Sequence, residues 1–242
     1  MNLSGKIAVV TGGGSGIGLG IAKALAAEGC RVVIAGRNGK KLEHAAATFP
    51  DNPPLVIACD ISDRAAAREL IEKTTAGLGP VDFLINSAGI NIAKRKMIDL
   101  DPEDFDKVMA VNTTGFFNIL HAVLPGMRER KDGLIFNVSS IAGKRALPLA
   151  GPAYAASKFA TTALGTEIGT EEAENGIRIT NIYPGEANTP LLDDRPVEVP
   201  ADVKAKMVHP EDIGAMVVAI AQLPPHVVVP ELIIKPLYQE YL

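Results

Sequence analysis

Short apolar runs alternate along the chain with longer stretches whose apolar positions recur at helical spacing. Such runs, rich in β-branched residues, are typical of strands buried on both faces, and the longer stretches are typical of helices. Strands are predicted at residues 6–11, 31–35, 55–59, 81–85, 133–138, 177–182 and 227–235. Helices are predicted at residues 19–27, 40–48, 64–76 and 210–223, from residue 102 onward, and from residue 154 to a C-cap signal at residues 175–176. The alternation predicts one α/β domain over residues 1–242, with a doubly wound parallel sheet between two layers of helices.

The composition is typical of a folded, soluble protein, with 47% hydrophobic and 21% charged residues. A net charge of −4 without any Lys/Arg run gives no electrostatic footprint for nucleic acid. We find no signal-peptide pattern and no apolar run near membrane-spanning length. Cys30 and Cys59 border apolar strand-like runs, and the four histidines lack ligand spacing. We therefore expect buried thiols, no metal and no membrane contact, in a cytoplasmic protein.

A glycine-rich turn joins the first predicted strand to the first helix. Its sequence runs Gly12, Gly13, Gly14, Ser15, Gly16, Ile17, Gly18. A strand, a glycine turn and a helix place backbone N–H groups and a helix N-terminus against a phosphate. The spacing Gly-x-x-x-Gly-x-Gly differs from the commoner dinucleotide fingerprint, and a tight turn for close helix–strand packing is the alternative.

The end of the second strand indicates which dinucleotide would bind. In a βαβ unit this position faces the adenosine ribose, and an acidic residue there favours NAD. Here the chain has Gly36 followed by Arg37 and Asn38. A guanidinium suits a 2′-phosphate, so NADP is favoured over NAD. A solvated arginine at the start of the next helix is the alternative.

Polar or small residues follow three further predicted strands. Asp60 and Ile61 follow the third strand, the Asn86–Gly89 stretch with Ala88 follows the fourth, and Ser139 and Ser140 follow the fifth. Open α/β sheets bind ligands at the carboxyl ends of their strands, so these groups are predicted to converge on one site. Each alone is also compatible with an ordinary turn.

Tyr154 and Lys158 are four residues apart, which stacks them on one face of a helix. A lysine ammonium near a phenol lowers the pKa of that phenol, and such a tyrosine can exchange a proton with a substrate oxygen. Ser140 would hold the same oxygen. A half-buried tyrosine beside a solvated lysine is the alternative. Asn112 lies in an Asn-Thr-Thr-Gly cluster that predicts an irregular turn inside its helix, as a functional break or a packing kink.

In this order the motifs resemble the short-chain dehydrogenase/reductase family, over residues 6 to about 223. The resemblance implies a Rossmann-type fold and a catalytic tetrad of Asn112, Ser140, Tyr154 and Lys158. The predicted cofactor-binding residues are Gly12, Gly14, Ser15, Gly16, Ile17, Gly18, Arg37, Asn38, Asp60, Ile61, Asn86, Ala88, Gly89, Tyr154, Lys158, Pro184, Gly185 and Thr189.

The resemblance also implies a role for each of these groups. Tyr154 would be the general acid or base, Ser140 would orient the substrate oxygen, and Lys158 would hold the nicotinamide ribose. Asn112 would support a water that connects Lys158 to solvent. Asp60 and Asn86 would flank the adenine, while Thr189 would bind the carboxamide. Family members are usually dimers or tetramers, so a homo-oligomer is expected; it would be built on helices at residues 104–130 and 152–174, the second with a face of small residues.

Three features depart from the family pattern and bear on substrate. Glu186 stands after Pro184 and Gly185, where an apolar residue is commoner; it would select a polar or cationic substrate or face solvent. Residues 190–209 make a short lid or a plain surface excursion. The C-terminal segment lacks an Asp-Gly-Gly-type ending. We therefore expect hydride transfer between NADP(H) and a small carbonyl or 3-hydroxy acid pair. The alternatives are a 3-oxoacyl carrier-protein reductase and a catalytically silent dinucleotide sensor.

Overall fold

A seven-stranded parallel sheet lies at the centre of the structure, a computed structural model that describes residues 1–195 and 197–240. The strands are β1 (Ile7–Thr11), β2 (Arg31–Gly36), β3 (Leu55–Ala58), β4 (Phe83–Asn86), β5 (Gly133–Val138), β6 (Ile177–Pro184) and β7 (Glu231–Ile234). Their order is β3-β2-β1-β4-β5-β6-β7. The chain therefore winds outward from β1 in one direction and from β4 in the other, which confirms the doubly wound prediction.

Eight α-helices are found in the described residues. They are α1 (Gly16–Ala27), α2 (Gly39–Ala46), α3 (Arg64–Gly77), α4 (Pro102–Met109), α5 (Gly115–Arg130), α6 (Pro152–Glu171), α7 (Ala201–Lys204) and α8 (Pro210–Ala221). The predicted helices are all present, and their ends differ from the prediction by a few residues. The last strand is shorter than predicted. Pro230 has no N–H and contributes only its carbonyl, to Asn181 N, so pairing starts at Glu231.

Both faces of the sheet are buried, which explains the continuous apolar runs. On β1, Ala8 and Val10 pack towards α1, α2 and α8, while Val9 packs towards α3 and α5. Cys30 and Cys59 are buried free thiols, as predicted. Burial raises the pKa of Cys30 to about 12 and that of Cys59 to about 11, so both are protonated at neutral pH.

The predicted irregular turn is confirmed as a single π-helical turn, Ala110–Thr114, between α4 and α5. Asp101 caps α4 by accepting a hydrogen bond from Glu103 N. The combined stretch Pro102–Arg130 is long and apolar enough to cross a membrane, but 56% of its most apolar window is buried inside the protein. It is therefore a core helix of this fold.

The segment between β6 and α8 leaves the sheet and returns to it. Its two ends are joined where Ala187 pairs with Val208. Between them lie a short 3₁₀-helix, Pro190–Asp194, and α7, which enclose a small apolar cluster of Leu192, Val199 and Met207. This excursion lies over the carboxyl edge of the sheet, because its first residues line both cavities described next.

Candidate active site

A cleft of about 480 Å³ runs along the carboxyl ends of the strands. Most of the residues predicted to bind a dinucleotide line it. These are Gly12, Gly14, Ser15, Gly16, Ile17, Arg37, Asn38, Asp60, Ile61, Ala88, Gly89, Tyr154, Lys158 and Thr189. The convergence expected from the separate strand ends is therefore found in the structure.

The N-terminus of α1 opens into this cleft with its backbone N–H groups uncapped. Ser15 is the N-cap but its side chain makes no capping bond, and no acidic residue lies in the first turn. Gly12 has φ +69°, and a Cβ added there would lie 2.8 Å from Ala88 N; Gly16 has φ +53°. Only glycine fits both the backbone and the space. Free N–H groups at a helix N-terminus beside a glycine turn suit a phosphate.

Gly18 has a different role from the predicted one. It does not line the cleft, and a Cβ added there would lie 2.5 Å from the carbonyl oxygen of Gly12. Gly18 thus lets α1 pack closely on the glycine turn. The packing alternative for this motif therefore applies to its last glycine, whereas Gly12, Gly14 and Gly16 line the cleft.

Two cations stand at the β2 end of the cleft. Arg37 is exposed and lines the cleft beside Gly36, as expected for a residue that would meet a 2′-phosphate. Asn38 caps α2 by accepting a hydrogen bond of 3.0 Å from Lys41 N. Lys41 itself lines the cleft and was not predicted. Its position in the first turn of α2, three residues after the cap, is the signal that could have identified it.

Asp60 is both a turn residue and a cleft residue. Its Oδ1 accepts hydrogen bonds from Ser62 N at 3.0 Å and Ser62 Oγ at 2.7 Å. Ile61 next to it is buried against Gly115, at the start of α5. The hydrogen-bonded turn holds this wall of the cleft in place.

Asn86, predicted to flank the adenine, is buried behind the cleft and does not line it. Its amide hydrogen-bonds Thr11 Oγ1 at 3.3 Å and Asn137 Oδ1 at 3.2 Å. Asn137 in turn donates to Asn181 Oδ1 at 2.8 Å and to the carbonyl oxygen of Thr161 at 3.0 Å. Since these residues are paired in register across β1, β4, β5 and β6, they form a buried polar ladder directly beneath the site.

Tyr154, Ser140 and Lys158 meet where α6 crosses the end of β5. The Tyr154 hydroxyl is hydrogen-bonded to Ser140, and Ser140 Oγ accepts a hydrogen bond of 3.1 Å from Ala142 N. Lys158 is buried, its Nζ donates to the carbonyl oxygen of Val138 at 2.8 Å, and it lies 5.6 Å from the centre of the Tyr154 ring. The arrangement can deliver a proton to an oxygen held between Ser140 and Tyr154.

The pKa of Tyr154 differs from the prediction. Burial raises it to about 12, and the hydrogen bond from Ser140 and the positive charge of Arg95 only partly oppose that rise. Burial also lowers the pKa of Lys158 to about 8. The lysine amine is directed to Val138 rather than to the phenol, so desolvation dominates over the expected effect of Lys158 on Tyr154.

Asn112 occupies the π-helical turn, as predicted, but lies behind the wall of the cleft. Its amide accepts from Ile90 N at 2.8 Å and donates to Ile90 O at 3.0 Å and to Ser157 Oγ at 2.9 Å. It stands beside Gly89, as does Lys158 Nζ; a Cβ added to Gly89 would lie 3.5 Å from each. The irregular helix therefore joins the β4 loop to α6 next to the lysine.

A second pocket of about 160 Å³ adjoins the cleft and shares Tyr154 and Thr189 with it. Ser140 lines this pocket, and so do Pro184 and Gly185, which were predicted to contact the cofactor. Glu186 lines it as well, and accepts a hydrogen bond of 3.1 Å from Arg195. The tyrosine hydroxyl thus lies between a long cleft and a small, mostly apolar pocket.

Comparison with known proteins places these features in one family. The family model described as short chain dehydrogenase matches residues 6–198. An uncharacterised oxidoreductase of Staphylococcus saprophyticus is 35% identical over 240 residues, covering 98% of this chain and 99% of its own.

Two solved structures are similar over nearly their full lengths. The closed form of a serine dehydrogenase complexed with NADP⁺ matches with a TM-score of 0.87 and 28% identity, over 97% of this chain and 96% of the other. A 3-ketoacyl-(acyl-carrier-protein) reductase from Brucella melitensis complexed with NADH matches with a TM-score of 0.86 and 29% identity, over 96% and 98% of the two chains. With the glycine turn, the Ser140–Tyr154–Lys158 cluster and the doubly wound sheet, these matches show that the chain belongs to the short-chain dehydrogenase family of oxidoreductases.

Proposed function

We propose that the protein transfers a hydride between NADP(H) and a small secondary alcohol/carbonyl pair. The observation that carries the proposal is the position of Tyr154, which is hydrogen-bonded to Ser140 and lines both the cleft and the second pocket. A group that touches both cavities can exchange a proton with a substrate whose carbon reacts with the cofactor.

The residues of the cleft fit a dinucleotide. The uncapped N-terminus of α1 and Gly12, Gly14 and Gly16 would hold its pyrophosphate. Arg37 and Lys41 would hold a 2′-phosphate. Gly36 occupies the position where an acidic residue would repel that phosphate. This charge pattern supports NADP(H) over NAD(H).

When bound, the nicotinamide would supply or accept the hydride. The chain would manage the proton and the orientation of the substrate. Ser140 would hold the substrate oxygen, and Tyr154, protonated at neutral pH, would give its proton to that oxygen in the reductive direction. Lys158 would hold the nicotinamide ribose, and Asn112 would support a path that returns protons to it.

Three further properties belong to this proposal. The excursion at residues 190–209 would act as a lid, because Leu191 contacts both cavities. The protein would be a cytoplasmic homo-oligomer, a dimer or a tetramer, built on α5 and α6. The small-residue face predicted for α6 consists of Ala155, Ala156, Ala160, Ala163 and Gly165. Of these, Gly165 is excluded from a contact between subunits because it is buried against Asn181.

The similarity to the Brucella melitensis reductase supports a second candidate, a 3-oxoacyl thioester reductase. One experiment separates the possibilities: oxidation of NADPH and NADH is followed with short ketones, 3-oxo acids and an acetoacetyl thioester. Turnover of small carbonyls supports the first candidate, and turnover of the thioester alone supports the second. The variant Tyr154→Phe should lose at least about 10³-fold in kcat while still binding NADPH. A dinucleotide sensor would bind the cofactor, turn over no substrate and be unaffected by this substitution.

A further inference from the structure

The second pocket contains a guanidinium at a position that the family motifs do not cover. Arg195 lines this pocket together with Ser140 and Tyr154. The rest of the lining is largely apolar, with Ile17, Ile141, Leu147, Leu149, Leu191 and Leu192 among its residues. A charged group in such a small apolar pocket needs a partner, because burying it without one is costly.

Glu186 is the protein partner of Arg195, and each of its carboxylate oxygens accepts a hydrogen bond from the chain. One oxygen accepts from Arg195 Nη1 at 3.1 Å and the other accepts from the Tyr238 hydroxyl at 2.7 Å. Since Arg195 balances its charge and both oxygens contact the chain, Glu186 is a residue that holds Arg195 in place. This arrangement favours a positioning role for Glu186 over the binding of a cationic substrate.

Arg195 has donors that no described side chain uses. Its side chain is only 17% exposed, and the bond to Glu186 is the one side-chain hydrogen bond that it makes with the side chains that the structure describes, those of residues 1–193, 195 and 197–240. A guanidinium has five N–H donors in a planar fork, so further donors are left for a ligand. The ligand group that matches this fork best is a carboxylate.

A second arginine adds positive charge to the same pocket. Arg95 is buried, and its guanidinium donates to the carbonyl oxygens of Ile92 at 2.9 Å and Leu149 at 3.1 Å. The positive charge of Arg95 acts on the Tyr154 hydroxyl, since it lowers the pKa of Tyr154 and so opposes the effect of burial. The described side chains that line this pocket thus carry the positive charges of Arg95 and Arg195 against the single negative charge of Glu186, and this balance favours a negatively charged molecule.

We propose that the substrate is a short oxo acid or hydroxy acid, with its reacting oxygen at Ser140 and Tyr154 and its carboxylate on Arg195. In the reductive direction the carbonyl carbon gains a hydride from NADPH, the oxygen gains a proton from Tyr154, and the carboxylate is unchanged. The pocket volume is near the ~150 Å³ of a cavity that accommodates benzene, so we expect an acid of about six or seven non-hydrogen atoms. The proposal rests on the proposed function and names its substrate class.

The first test uses a charged substrate and its neutral isostere. We would measure kcat/KM with NADPH for acetoacetate and for acetoacetamide, in the wild type, in Arg195→Met and in Lys206→Met. Lys206 is exposed on the same excursion and lines neither cavity, so its variant loses the same charge away from the pocket. We expect the wild type to prefer acetoacetate by at least ~10-fold. Arg195→Met should lose roughly 10- to 100-fold on acetoacetate and stay within about threefold on the amide.

In this test Lys206→Met should behave as the wild type. Equal use of the acid and the amide by the wild type would overturn the proposal. So would an equal loss on both substrates in Arg195→Met, because a purely structural role would affect them alike.

The second test needs no turnover. Calorimetry would measure the binding of 3-hydroxybutyrate and 3-hydroxybutyramide to the NADP⁺-loaded protein and to its Arg195→Met variant. If the wild type binds 3-hydroxybutyrate but not the amide, and Arg195→Met does not bind the acid, the anion site is supported. If in addition neither oxo compound is reduced, only the proposed reaction is wrong. Equal binding of acid and amide, or no binding of either, overturns the anion site.

Discussion

The amine of Lys158 donates a hydrogen bond of 2.8 Å to the carbonyl oxygen of Val138, two residues before Ser140. One turn earlier on α6, Tyr154 is hydrogen-bonded to Ser140 itself. Ser139, between these two positions, donates from its Oγ to the carbonyl oxygen of Lys158 at 3.1 Å. The spacing of the proposed catalytic groups is therefore set by how α6 docks on the end of β5.

The first prediction concerns the burial of Lys158, whose pKa falls from 10.5 to about 8. Below pH 8 this lysine is charged in the folded and unfolded states, so the folded state carries the full cost of burying the charge. Between about pH 8 and 10.5 the folded lysine loses its proton while the unfolded one keeps it, and the free energy of unfolding therefore rises with pH. The shift corresponds to about 3 kcal/mol.

Urea unfolding at fixed protein concentration checks this prediction in the wild type and in Lys158→Met. The difference in unfolding free energy should move in favour of the wild type as pH rises from 7.5 to 10. Other titrating groups are present in both proteins, so their effects largely cancel in the difference. A constant difference over this range would show that Lys158 keeps its proton in the folded protein, and that burial does not lower its pKa.

The second prediction concerns the buried ladder beneath the site. Asn137 makes three side-chain hydrogen bonds, to Asn86, Asn181 and the carbonyl oxygen of Thr161. Asn137→Leu keeps a similar volume but leaves these buried partners unpaired, which should lower the free energy of unfolding by about 3 kcal/mol. On the neighbouring strand, Thr180 Oγ1 is buried and has no hydrogen-bond partner in the described part of the chain.

Thr180→Val is therefore the matched variant for Asn137→Leu. It removes an unpaired hydroxyl without changing the shape much, so it should leave stability unchanged or raise it by up to about 1 kcal/mol. Chemical denaturation of both variants gives the comparison. Similar losses in the two would contradict the prediction, because the three hydrogen bonds of Asn137 would then contribute no more to stability than the unpaired hydroxyl of Thr180.

The ladder also illustrates what the sequence could and could not predict. The apolar runs predict the strands, and the alternation of strands and helices predicts the doubly wound sheet. Glycine, serine, tyrosine and lysine at characteristic spacings predict most of the residues that line the candidate site. Asn137 and Asn181 lie within apolar runs, and only the register between β5 and β6 brings them together. The same holds for Lys41, which reaches the cleft because Asn38 starts α2 just before it. The pKa of Tyr154 depends on burial and on where Lys158 Nζ points, and neither follows from a spacing of four residues.

The third prediction concerns the choice of cofactor. Arg37→Gln removes a guanidinium from the part of the cleft where a 2′-phosphate would lie, so KM for NADPH should rise by about 10- to 100-fold. KM for NADH should be unchanged, because NADH lacks that phosphate. Steady-state kinetics with both cofactors measures the effect, and Arg68→Gln serves as control because Arg68 is an exposed cation on α3 paired with Glu72. A parallel rise in both KM values would assign Arg37 a structural role instead.

The last prediction concerns the glycine turn at the start of the cleft. At Gly12 the backbone has φ +69°, and a Cβ would lie 2.8 Å from both Ala88 N and Ser87 O, so two backbone segments would have to move apart. Gly12→Ala should therefore lower the free energy of unfolding by about 2 kcal/mol or more and abolish NADPH binding.

Gly39→Ala is the matched control for Gly12→Ala. Gly39 begins α2, and a Cβ added there would meet nothing within 4 Å. This control should be neutral or stabilising by up to about 1 kcal/mol. Thermal unfolding and fluorescence titration with NADPH report both effects, and full NADPH binding by a folded Gly12→Ala protein would show that the close approach of the turn to Ala88 is not needed for the cofactor.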